Sequence, residues 1–403
     1  MTSTPLTLAN VRPWGAAPAD IVVVDGKIAS VSPAGTAAPA TGAPANGGTT
    51  VDGGGRLALP GFINTHAHVD KSWWGQPWEP YGGVATTQGR IEHERSERDR
   101  LGIPGVPSTT AVLREFLRHG TTATRSHIDV DLGLGLRGID VVRESAEALG
   151  GAIDVEIVAF PQDGVMRRPG VLALLDAAAE AGATHVGGLD PAGIDRDPVR
   201  QLDGLFEIAV NRGVGIDIHL HDGNDLGAFQ IELIADRTID AALSGRVNVS
   251  HGFALGDLPD GRRNDLLDRI REAGISWTTV APPRGALPWA GMRERGVLLG
   301  LGTDGIRDLW SPYGDGDILR VALAFARIHG VRRDEDLEGV VRLATSGAAP
   351  FVSRDVHDLV PGARADIVLL DAENPQDALL RTPRREVVVA GGRVVVDGGE
   401  LRV

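Results

Sequence analysis

Between residues 57 and 304 the chain alternates short apolar runs with helical stretches, and this alternation constrains the fold more than any other feature. Eight runs read as strands. The first ends at His66 and His68; the others are Thr121–His127, Ile153–Phe160, Thr184–Leu189, Val214–His219, Arg246–His251, Ile275–Val280 and Val297–Asp304. Between them, Ser108–Arg118, Val171–Ala181, Val199–Asn211 and Leu226–Leu243 carry Ala and Leu at the spacing of a helix face turned to a core. Strands separated by helices read as βα units of a parallel sheet. Eight such units are the count of an α/β (β/α)8 TIM barrel, whose chemistry sits at the C-terminal ends of the strands.

The two ends of the chain read as β structure of another kind. Ile21–Val24 and Lys27–Val31 flank Asp25-Gly26, a hairpin turn pair, and residues 32–55, rich in Ala, Pro, Thr and Gly, read as a loop. Near the other end, Ala365–Leu370, Glu386–Val389 and Gly392–Gly398 are strand-like again. Neither end alone offers enough strands to bury a face, so both are expected to build one small β-sandwich. Residues 1–56 then form its N-terminal part, 57–350 the barrel and 351–403 its C-terminal part. The charged run Arg90–Arg100 reads as a solvated helix with mixed-sign pairs.

Bulk composition narrows the partners. Forty basic against 54 acidic residues give a net charge of −14, which argues against nucleic acid or an anionic membrane surface. No apolar stretch approaches the roughly 20 residues of a spanning helix. Met1–Asn10 lacks a basic segment followed by an apolar one, so no signal peptide is expected. Cysteine is absent, which excludes disulfides, thiolate metal sites and a cysteine nucleophile, and a cytoplasmic location is expected. The expected partner is a small molecule, with self-association left open.

Ligand-type side chains fall at the ends of four strands. His66 and His68 close the first, His219 with His221 the fifth, His251 the sixth and Asp304 the eighth. A strand has a side-chain period of two, so each His-x-His pair projects to one side. Three imidazoles and a carboxylate suit one divalent ion, Zn²⁺ or Fe²⁺, with an open water position. Such an ion lowers the pKa of bound water towards about 7. Asp304 is then placed to act as general base, His251 to orient the water and stabilise developing negative charge, and His221 or Asp222 to relay the proton.

These motifs resemble the amidohydrolase superfamily. The stretches that carry the resemblance are Pro60–His68, His66–Ser72, His119–Asp131, Val158–Gln162, Val186–Ala192, Asp217–Asp222, Ser250-His251 and Asp304–Asp317. Within the superfamily the chain is similar to the cytosine deaminase group, in particular to the N-isopropylammelide isopropylaminohydrolases of s-triazine breakdown. The resemblance implies a mononuclear site with ligands His66, His68, His219 and Asp304, and with His251 beside the metal water. Cytosine deaminases carry Glu three residues after the fifth-strand ligand, where this chain has Asp222 preceded by His221, the His-x-His-Asp pattern of the triazine enzymes. They also carry a second Asp directly after the eighth-strand ligand. Here that residue is Gly305, so a substrate contact from that position is expected to be lost.

Substrate-facing candidates follow from the loops. Gln162 matches the amide that reads a pyrimidine edge in cytosine deaminases, and Trp310 matches a pocket tryptophan of the group. Lys71 lies just past the metal pair, within reach of a carbonyl-rich ring or of a salt bridge to Asp70 or Asp129. Trp73, Trp74 and Trp78 crowd one loop in a protein with 4% aromatic residues, and their faces suit stacking on a heteroaromatic ring; Trp74 is taken as the contact. Arg125 and His127 read as supports behind the ligands. The expected function is a metal-dependent hydrolase releasing ammonia or an alkylamine from an amino-substituted s-triazine, pyrimidine or pterin. The alternatives are hydrolysis of a cyclic amide at the same site, or a metal-binding barrel without turnover.

Overall fold

The computed structural model describes residues 5–36, 48–282 and 286–403. Eight parallel strands stand in chain order: β1 (Phe62–Ala67), β2 (Thr121–Asp129), β3 (Asp154–Phe160), β4 (His185–Leu189), β5 (Gly215–Leu220), β6 (Val247–His251), β7 (Ser276–Thr279) and β8 (Leu299–Leu301). β8 comes back to β1. Thr65 Oγ1 donates to the Leu301 carbonyl, and the Asp304 N–H donates to the His66 carbonyl, both at 3.0 Å. A Cβ on Gly302 would overlap His66, so glycine is what lets the two strand ends approach. The expected barrel is the observed one.

Each helix covers the barrel with an apolar stripe. In α1 (Thr87–Leu101) that stripe is thin, whereas α2 (Val106–Arg118) buries Thr109, Val112, Leu113, Phe116 and Leu117. This three-and-four spacing turns one helix face to the sheet. α1 departs from its solvated reading. Its Glu94 and Arg98 are buried, Arg98 pairing with Asp131 at 2.5 Å. The mixed-sign pattern does mark a helix, but two of its charges face partners on the barrel.

The termini meet in a β-sandwich, as expected. Ala19–Val24 and Lys27–Pro33 pair antiparallel around Asp25 and Gly26, both at positive φ, the geometry of the tight hairpin turn. Leu6–Pro13 passes between the two leaves: its first half pairs with Ala19–Val24 and Thr49–Asp52, its last two residues with Leu57 and Ala58. The second leaf continues through Ile367–Leu370, Arg385–Ala390 and Arg393–Asp397. Leu57–Pro60 therefore belongs to this sheet rather than to the barrel that was expected to begin at residue 57. Leu8, Ile21, Ile28, Ile367, Leu369 and Val389 fill the space between the leaves. Of the loop expected over residues 32–55, residues 37–47 lie outside the described residues, and Thr49–Asp52 is a strand. Among the described residues no helix is long and apolar enough to cross a membrane.

Candidate metal centre and active site

The C-terminal ends of β1, β5, β6 and β8 bring the expected ligands together. Asp304 Oδ1 lies 3.3 Å from His68 Nε2 and 3.6 Å from His66 Nε2, and His68 Nε2 lies 3.3 Å from His219 Nε2. Ring nitrogens of His66, His68, His127 and His219 all lie within 4.8 Å of one another, and His66, His251 and Asp304 form an overlapping trio on the same limit. His127, at the end of β2, thus stands nearer the cluster than a distant support would.

The chemistry of this donor set fits a cation. Burial, followed by the neighbouring charges, holds His68, His219 and His251 well below the ordinary histidine range, so these imidazoles are neutral and keep a lone pair. His66 Nε2 is buried without a hydrogen-bond partner among the described residues. Its other nitrogen explains why. Ser250 Oγ donates to Asp217 Oδ1 at 2.7 Å and so meets His66 Nδ1, 2.9 Å away, as an acceptor. Nδ1 then carries the proton and Nε2 is the free donor atom. Asp304 is held well below the usual carboxylate range: burial opposes this, but the imidazoles of His66 and His68 beside it prevail. Neutral ring nitrogens that converge with an ionised carboxylate form a donor set that a divalent cation completes.

The site residues sit on strained backbone. Asp190, His251 and Asp304 have φ of 33°, 69° and 61°, in the left-handed region that ordinary side chains avoid. Each follows or ends a barrel strand, where the chain must turn sharply to aim a side chain inward; strain of this kind gathers at functional sites.

A cavity of about 640 Å³ opens over the cluster, lined among others by Lys71, Gln162, His221, His251, Asp304 and Trp310. His221 is clamped by Asp190, whose carboxylate accepts from its backbone N–H at 2.5 Å and lies 2.9 Å from its Nδ1. Burial works against charge on this imidazole, but the Asp190 hydrogen bond outweighs it and raises the pKa. Across the cavity, Lys71 Nζ donates to Gln162 Oε1 at 2.5 Å and forms an ion pair with Asp129 Oδ1 at 2.8 Å, with Glu94 Oε2 at 3.9 Å. Glu94 also accepts from the indole N–H of Trp310, whose side chain lines the cavity. With three buried carboxyls around one ammonium, burial and the Asp129 charge push Asp70 up to about 7.

Two expected residues stand elsewhere. Asp222 does not line the cavity: its Oδ2 accepts from Gly193 N and from Gln230 Nε2, both at 2.9 Å. β5 ends at Leu220, and the turn after it directs Asp222 to the neighbouring loop. Trp74 is also outside the cavity lining and lies against the Arg307 guanidinium, 4.3 Å from its ring centre. Sequence reasoning passed over Asp190, Glu94 and Asp217 as partners. Asp190 alone carried a readable signal, a carboxylate directly after the strand-like run ending at Leu189.

A barrel with its donors at the strand ends, beside a sandwich made by both termini, defines a class of hydrolases. The amidohydrolase family model matches residues 106–396, and the chain belongs to the amidohydrolase family, hydrolases acting on carbon–nitrogen bonds other than peptide bonds. It is similar to the crystal structure of N-isopropylammelide isopropylaminohydrolase from Burkholderia multivorans ATCC 17616, with 40% identity, a TM-score of 0.92, and coverage of 99% of this chain and 100% of that one. It is 29% identical over 360 residues to N-isopropylammelide isopropyl amidohydrolase of Pseudomonas sp. (strain ADP), covering 86% of this chain and 87% of the relative. The 5-methylcytosine deaminase of Klebsiella pneumoniae liganded with 5-fluorocytosine superposes with a TM-score of 0.82 at 25% identity, over 99% and 98% of the two chains.

Proposed function

We propose that this protein is a metal-dependent hydrolase that releases ammonia or an alkylamine from an amino-substituted nitrogen heterocycle, with s-triazines of the N-isopropylammelide type as the leading substrates. One observation carries the reading. A single cavity joins the neutral imidazoles and Asp304 to His251 and to a histidine clamped by Asp190. The relatives named for N-isopropylammelide and 5-methylcytosine support the substrate class.

His66, His68, His219 and Asp304 would hold the ion, Zn²⁺ or Fe²⁺. Bound there, a divalent cation would supply a water made nucleophilic by a pKa lowered to about 7. Asp304 would accept a proton from the attacking water as a C–O bond forms at the ring carbon bearing the amine. His251 orients the water and faces the negative charge that develops on the ring. His221, oriented through Nδ1 by Asp190, lines the cavity and would pass to the departing nitrogen the proton that Asp304 has taken up. The C–N bond breaks, a C–O bond replaces it, and the amine leaves with the proton taken from water. Trp310 offers a flat face to the ring, while Lys71 holds Gln162 by its oxygen so that the amide NH₂ is the group presented to substrate. Asp222, tied to Gly193 and Gln230, has no part in this scheme.

The purified protein is to be loaded with Zn²⁺ or Fe²⁺, given N-isopropylammelide, cytosine and a pterin, and assayed for released amine. Turnover of N-isopropylammelide is expected, with Asp304→Asn lowering it by about 1,000-fold in whatever fraction of protein retains metal. No amine from any compound, with metal confirmed bound, contradicts the reading.

A further inference from the structure

The residue after Asp304 is Gly305, and the space its side chain would fill is taken. A Cβ built on Gly305 would overlap Asp308 Oδ2. The two oxygens of Asp308 have different duties. Oδ1 accepts from the backbone N–H groups of Trp310 at 2.8 Å and Ser311 at 2.7 Å, which shapes the turn carrying Trp310. Oδ2 has no protein hydrogen-bond partner among the described residues, although Asp308 is only 5% exposed. Both Gly305 and Asp308 line the cavity. A carboxylate oxygen without a protein partner, on a residue that lines the cavity beside the one following Asp304, is an acceptor open to a ligand. Burial, reinforced by Asp304, lifts this carboxyl to about 6; as a carboxylate it is acceptor-only.

We propose that Asp308 determines specificity by accepting, through Oδ2, a hydrogen bond from an N–H on the nitrogen attached to the reacting carbon. The inference rests on the hydrolytic reading of the cavity and deepens it by naming the substrate class. Substrates carry a primary or secondary amine at that carbon; tertiary amines, which have no N–H there, are rejected. The contact expected to be lost at Gly305 is supplied instead from three residues further on. Glycine at 305 is the condition for this, because any Cβ would displace the oxygen. Across the cavity, Gln162 presents its NH₂ to ring acceptors, so donor and acceptor edges of the ring are read by different walls.

The test compares N-isopropylammelide with its N-methyl-N-isopropyl analogue, which lacks the N–H, measuring binding by tryptophan fluorescence and turnover by amine release. The metal-loaded wild type is expected to prefer the N–H compound by roughly 10- to 100-fold in affinity, the range of a hydrogen bond to a charged group. Asp308→Asn keeps an oxygen for the Trp310 and Ser311 N–H groups but turns a donor to the substrate. Gly305→Ala leaves the charge and moves the carboxylate. Both variants are expected to lower the preference at least tenfold, with circular dichroism and metal content checked as unchanged. A wild type that binds the two compounds equally, or variants that keep the wild-type preference, overturns the assignment whether or not amine is released. Preference without turnover overturns only the hydrolytic reading. Binding of neither compound overturns both.

Discussion

In the terminal sandwich, Leu8, Ile21, Ile28, Ile367 and Leu369 are buried against one another, and the side-chain period of two along a strand turns them to that face. At the barrel mouth the charged residues Lys71, Glu94, Arg98, Asp129 and Asp131 are buried as well. The sandwich gains from removing apolar surface from water, a contribution that depends on area and tolerates exchange of similar side chains. The mouth instead needs each charge matched to a particular partner, because an unmatched one is penalised heavily in a dry environment. The first region holds the chain ends together. The second keeps a polar surface rigid and in register beneath the cavity, which is what recognition of a polar ring requires.

This contrast can be broken at either side. The largest effect is expected from Arg98→Met, which strands the Asp131 carboxylate and frees α1, the helix whose Glu94 steadies Trp310. A loss of about 3–5 kcal/mol is expected from urea unfolding, together with a raised KM. Acid pH probes the same pair. Burial acts to raise Asp131, but the Arg98 hydrogen bond and backbone donors hold its pKa below the ordinary value. Its stabilising contribution is therefore present above the ordinary carboxylate range and is lost as pH falls towards the folded value. The variant should show a flatter acid limb than the wild type; equal limbs would remove the pair from the account. The smaller effect is Ile367→Val in the sandwich, expected to cost about 1 kcal/mol and to leave KM, kcat and metal content alone. A change in KM there would mean that the two regions are not energetically separate.

The contrast also explains what could be read from the sequence. Strand and helix periods reveal the barrel, and His-x-His at a strand end reveals His66, His68, His219 and His221, because these signals are local. Roles fixed by an approach across the fold leave no local trace. Glu94 belongs to a run that looks solvated until α1 is laid on the barrel, where Trp310 and Lys71 meet it. Asp222 sits at the spacing of a relay residue, yet the end of β5 at Leu220 turns it to Gly193 and Gln230. Nothing local in the sequence singles out Asp308, whose Oδ2 occupies the space that a side chain at Gly305 would need. Boundaries behaved alike: Leu57–Pro60 has the composition of a barrel strand, but its partner Ile367–Leu370 lies more than 300 residues away, a pairing that no local pattern encodes.

The central claim is that His66, His68, His219 and Asp304 share one divalent ion, and metal analysis of the purified protein after exposure to Zn²⁺ or Fe²⁺ and removal of free ion tests it most directly. One equivalent per chain is expected for the wild type, falling to near zero in the protein carrying His66→Ala, His68→Ala and His219→Ala, with the barrel's far-ultraviolet dichroism retained. An equal metal content in both proteins would contradict the account.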